Sequence, residues 1–167
     1  DKKSIPDSAA RDQAYLDRMR TLNQEYPDDP DVAAIYAASF MSTRPWDYWD
    51  GASATENETL RVAEALENVI RSNKNHPGVL HLHVHLIEAS EDPQRALSSA
   101  EALEKTLPIG GHIVHMPSHI YIRLGYYQRA IESNYRSLSA DNKFARYWGD
   151  VTLPSIGTYG LSHKLHA

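Results

Sequence analysis

The chain of 167 residues is long enough for one domain with a buried core. Its 17 Lys and Arg against 22 Asp and Glu give a net charge of −5 without a basic run, which argues against the concentrated positive patch of a nucleic-acid binder. No apolar run approaches the roughly 18 residues of a membrane span, and the lack of cysteine excludes disulfides and thiolate metal ligands.

From Ala9 to Glu25 the apolar positions Tyr15, Leu16, Met19 and Leu22 fall at helical spacing, and Asp7 or Ser8 can cap the start. The corner Tyr26-Pro27-Asp28-Asp29-Pro30 ends that helix and opens another, with Asp29 as N-cap and Pro30 in the first turn. Asp31 to Ser42 is alanine-rich, with Ile35, Tyr36, Ser39 and Phe40 in phase, so the two segments predict a helical hairpin.

The stretch Arg44 to Gly51 breaks this pattern. Its Trp46, Asp47 and Trp49 form either a hydrophobic plug at the end of a helix pair, the favoured expectation, or a contact loop for a ligand. Thr55 and Glu58 fit a capping box, and the helix that follows to Asn73 carries Leu60, Val62, Ala63, Leu66, Val69 and Ile70 as its buried stripe.

Val79 to Ile87 alternates as a strand would, yet the flanking helices, Pro77 and the lack of a pairing strand predict helix. Gln94 to Thr106 is expected to be helical, with Ala96, Leu97, Ala100 and Leu103 inside. Further helices are expected over His112 to Leu124 and Tyr127 to Ala140, joined at Gly125, and a new one near Phe144. The stretch with Pro154, Gly157 and Gly160 has no clear element.

Seven of the nine histidines lie between His76 and Arg123. His81 and His85 are four apart, as are His115 and His119, and the pairs are offset by 34 residues, the period of a tetratricopeptide unit. On helices, His81, His85 and Glu88 share one stripe, and His112, His115 and His119 another. Imidazoles with a carboxylate and no sulfur suit a divalent transition metal, Zn²⁺, Ni²⁺, Cu²⁺ or iron. The tentative ligands are His81, His85, His115 and His119, with Glu88 as ligand, orienter of an imidazole, or base. Leu82 stands where zinc proteases carry a glutamate, so their mechanism is not implied. His83 points to the opposite face and is expected to be packed and hydrogen-bonded. Pro117 removes a backbone donor, so a kink or late start is expected between His115 and His119. His163 and His166 read as tail or as a further contribution to the cluster. Ser118 beside His119 makes no triad.

Tyr121-x-x-x-Gly125-x-Tyr127-x-x-Ala130-Ile131, with Ala96 one period earlier and Pro108 closing a unit, resembles the tetratricopeptide-repeat consensus. Glu91 replaces the turn glycine of one unit and Asn142 the closing proline of the last. More narrowly, His76-Pro77-Gly78-x-x-His81 through Glu88, and Gly111-His112 through Tyr121, resemble a histidine-rich group of bacterial tetratricopeptide-repeat proteins, as does Pro45 to Trp49. The resemblance supplies a fold and no activity. It implies an all-α chain of antiparallel helical hairpins stacked as a right-handed superhelix, an α-solenoid. The expected units are 9–42, 55–73 after an insertion, 77–108, 111–142 and a partial 143–167, together a single domain and a fragment of a longer chain. Because the first helix of each such unit lines the concave groove, the resemblance places His81, His85, Glu88, His112, His115, His119 and Arg123 there. The first expectation is therefore a non-enzymatic scaffold that binds a protein or peptide segment, or a small ligand, in a histidine-lined groove. The alternative is a metal-binding protein or metal-dependent enzyme.

Overall fold

The computed structural model describes residues 7–50, 53–54 and 57–148. It is all-α, apart from a two-residue antiparallel ribbon. The chain runs through α1 (Ser8–Glu25), α2 (Pro30–Thr43), β1 (Trp49–Asp50), β2 (Ser53–Ala54), α3 (Asn57–Ser72) and α4 (Pro77–Ile87). A 3-10 turn at Pro93–Ala96 then leads into α5 (Leu97–Thr106), α6 (Gly111–His115), α7 (Pro117–Arg123) and α8 (Tyr127–Trp148). Thr55, His163 and His166 lie outside the described residues.

Local chemistry sets the boundaries. Asp7 and Asp29 accept backbone N–H bonds at the first turns of α1 and α2, as their caps predict. Helix α4 is capped by an imidazole: His76 Nδ1 accepts from Val79 N at 3.1 Å, which leaves its Nε2 to donate to Asp31 at 3.1 Å. After α7 the chain reverses at Gly125, whose φ of +77° favours glycine. The bonds Tyr126 N to Tyr121 O (2.8 Å) and Gly125 N to Ile122 O (3.2 Å) make this a Schellman end.

The alternating stretch is helical. In α4 the buried side chains are Val79, Leu80, His83, Val84, Leu86 and Ile87, whereas His81 and His85 turn to the other side. Three expected boundaries move. Pro93 starts a 3-10 turn, so the expected helix from Gln94 splits before Leu97. The helix over His112 to Leu124 breaks at Pro117, which has no N–H to donate to Ile113. Helix α8 runs through Asp141 and Asn142 to Trp148, because no Gly or Pro interrupts it, so no new helix starts at Phe144. Tyr15, Ile35 and Leu60, expected on buried stripes, are exposed.

Each helix packs on the next, and α4 also touches α2 and α7, so α2, α4 and α7 form a contiguous row. The core runs through this stack, with Phe40, Leu66, Leu80, Ile87, Leu103 and Ile120 almost wholly buried. Among the described residues no helix is long and apolar enough to cross a membrane.

Glu58 joins α3 to its neighbours. Its carboxylate accepts from Tyr36 Oη at 2.5 Å, Arg20 Nε at 2.6 Å and Arg61 Nη1 at 3.2 Å. Burial pushes this carboxyl up, but the bonds from Tyr36 and Arg20 outweigh that and hold it below the usual glutamate value. A depressed folded pKa gives stability that is full above the unfolded value of about 4.3 and is lost as pH falls through the folded value. Glu58→Gln is therefore expected to lower stability by about 2 kcal/mol at pH 7. In urea titrations at several pH values, the gap between variant and wild type narrows below about pH 4. A gap that stays constant into acid would exclude the ionised carboxylate as its source.

Candidate metal centre

Helices α4, α6 and α7 bring five imidazoles together. His81 and His85 lie one turn apart on α4; His112 and His115 occupy successive positions of one stripe on α6, and His119 lies in the first turn of α7. Ring centroids follow in a closed circuit: His81 to His85 4.7 Å, His85 to His119 5.5 Å, His119 to His115 4.9 Å, His115 to His112 6.4 Å and His112 to His81 5.0 Å. The break at Pro117 does not separate His115 from His119. Met116 keeps right-handed helical angles, and the two Nε2 atoms stand 3.1 Å apart.

The tightest group is His81, His85 and His112, each offering one ring nitrogen within 4.8 Å of the others. Their centroids form a triangle of sides 4.7, 5.0 and 6.1 Å. A point about 3.1 Å from all three exists; a zinc ion bound to imidazole stands about 3.2 Å from the ring centroid, given a Zn–N bond of about 2.0–2.1 Å. The spacing of the ring centroids is thus compatible with one shared ion. His81 Nε2 and His112 Nε2 are 3.0 Å apart, close to the roughly 3.3 Å edge of a tetrahedral site.

Glu88, at the C-cap of α4, organises the circuit from behind. One carboxylate oxygen bonds His85 Nδ1 at 2.9 Å and the other bonds His119 Nδ1. Burial pushes the Glu88 carboxyl up, but the bonds from His119 and His85 overcome it and bring it down to about 2. An ionised carboxylate only accepts, so both Nδ1 atoms carry the hydrogen they donate and each Nε2 is the nitrogen left to face the circuit. Orientation of a ligating imidazole by a carboxylate on its far nitrogen is a common device of metal sites. Burial, together with the neighbouring His85, His112 and His119, pushes His81 down to about 3, which keeps it neutral, the form that binds metal.

The remaining sequence-singled residues take other positions. His83 is buried on the opposite face and bonds Ser99 Oγ at 2.8 Å; its Nε2 is 3.5 Å from Glu67, too long for a strong hydrogen bond. His115 is fully buried, and its Nδ1 meets Asn134 Oδ1 at 2.5 Å. That partner comes from α8 and carries no signal in the sequence. Arg123 donates to the Ser90 carbonyl at 2.7 Å, tying the end of α7 to the turn after α4. Asp47 is exposed beside Arg44.

The two tryptophans of this loop sit differently. Trp49 Nε1 donates to the Leu86 carbonyl at 2.6 Å and Tyr48 is buried, so this end plugs the stack. Trp46, with φ of +66° and most of its surface exposed, meets His85 edge-on at 5.7 Å.

No protein-family model, curated protein or solved structure matches the chain.

Proposed function

We propose that the chain is a metal-binding helical-repeat protein that holds a divalent transition metal at His81, His85 and His112. The convergence of three imidazoles, each with a ring nitrogen within 4.8 Å of the others, carries this reading. Imidazole ligands without sulfur suit Zn²⁺, Ni²⁺, Cu²⁺ or iron. We further propose that its helices stack as a right-handed tetratricopeptide-like superhelix. The contiguous row α2, α4 and α7 and the glycine-ended turn at Gly125 support that arrangement.

Protein purified without a histidine tag, stripped and reloaded, tests the metal. Zinc at a hundred times its Kd is expected to stabilise the fold by about 2.7 kcal/mol, raising Tm by about 5–10 °C. Glu88→Gln keeps the size of the side chain but removes the charge that orients His85. It is expected to weaken zinc about 10- to 100-fold by competition with a chelating dye. No bound metal and no thermal shift with zinc, nickel or copper would overturn the reading.

A scaffold that takes a peptide in the same groove is the second reading. It is favoured by the exposed indole of Trp46 at the rim of the cluster. It predicts that a bound peptide protects Trp46 from quenching by acrylamide whether or not metal is present.

A further inference from the structure

The histidine circuit extends beyond the three proposed ligands. An ion coordinated by two imidazoles sets their centroids at most about 6.4 Å apart, when the ligands are trans. His112 stands 6.1 Å from His85 and 6.4 Å from His115, each near that limit. One ring has one trans partner, so a single ion does not hold the whole circuit.

The pair His115 and His119 has its own arrangement. His119 Nδ1 is bonded to the Glu88 carboxylate and His115 Nδ1 to Asn134 Oδ1, both acceptors. With Nδ1 engaged in each ring (that of His115 also 3.4 Å from Ser118 Oγ), Nε2 is the nitrogen turned toward the other ring. Those two Nε2 atoms face one another at 3.1 Å. Such a pair is bridged either by a proton or by a metal ion that both nitrogens ligate. The spacing is that of neighbouring ligands on one ion, and centroids 4.9 Å apart subtend about 100° at a metal, near the tetrahedral angle.

We propose that the protein holds a second divalent transition-metal ion at His115 and His119, making a dinuclear centre. This rests on the site at His81, His85 and His112. Glu88 links the two: its oxygens orient one ligand of each ion, His85 for the first and His119 for the second. The two protein ligands of the second ion leave further positions for water or an exogenous donor.

The test is the stoichiometry of Cu²⁺ bound by metal-free protein, with electron paramagnetic resonance of the loaded sample. Wild type is expected to take two equivalents and to show the half-field transition of a coupled pair. His119→Gln is expected to take one equivalent and to give the spectrum of an isolated Cu²⁺. His119 is chosen over the fully buried His115, and circular dichroism checks the fold of the variant. Should the variant not fold, the wild-type spectrum decides alone. Saturation at one equivalent with an isolated spectrum would overturn the second site, a shared proton then lying between the two rings, and would leave the first site standing. Zero equivalents would overturn both.

Discussion

His85→Ala is expected to lower zinc affinity about 100-fold or more while the fold persists. Structural zinc sites bind with about 10–16 kcal/mol, or about 3 kcal/mol for each of four ligands, and about 1.4 kcal/mol corresponds to a tenfold change in Kd. The His85 side chain keeps 16% of its surface exposed, and circular dichroism checks the fold of the variant. Its removal releases one oxygen of Glu88, which keeps its bond to His119. His83→Ala is the matched control from the same helix. It deletes a buried ring bonded to Ser99, so it costs stability, and it leaves zinc affinity at the wild-type value because His83 faces away from the cluster. Equal loss of affinity in both variants would mean that α4 as a whole, not the ring of His85, had failed.

Tyr121→Ala is expected to destabilise the fold by about 4 kcal/mol, by analogy with large aromatic deletions from packed cores. Tyr121 is fully buried and among the largest side chains of the core. Its hydroxyl donates to Glu104 at 2.6 Å and accepts from Arg129 at 2.6 Å, and the Arg129 guanidinium lies 4.1 Å from the ring centroid. The ring thus joins α5, α7 and α8. Burial, then Glu104, raises its hydroxyl pKa well above the ordinary tyrosine value, so the group stays a donor at any physiological pH. Tyr121→Phe keeps the packing and loses the hydroxyl, at a cost of about 1–2 kcal/mol. Urea denaturation of both variants separates the two contributions. A Phe variant as unstable as the Ala variant would assign the loss to the polar triad and not to volume.

The helices were legible where local and periodic signals agreed. Asp29 followed by Pro30 marked the start of α2, and Gly125 marked the end of α7. The alternation of Leu80 to Leu86 misleads because its leucines and valine serve two sides of one helix, between α3 and α5. The flanking helices, Pro77 and the lack of a pairing strand separated the two readings. In the cluster, the spacings His81 to His85 and His112 to His115 announced shared stripes. The 34-residue offset matches His81 with His115, yet in space His81 meets His112. Periodicity fixes the face of a helix but not how far one helix slides along its neighbour. The break at Pro117 adds a local 3-10 bond, His119 N to Met116 O. The bond between His115 and Asn134 depends on a helix returning from beyond Gly125, which no local pattern encodes.

Both ends of α4 are fastened from outside. His76 caps its start and reaches Asp31 at the head of α2; Trp49 takes the Leu86 carbonyl at its end, and Arg123 takes that of Ser90 just beyond. An eleven-residue helix left to itself would fray at both termini. Pinned in this way, it holds the backbone of His81, His85 and Glu88 in place before any ion arrives. For the proposed metal site, binding would then require little loss of conformational entropy, and the protein would impose the spacing of the rings on the metal.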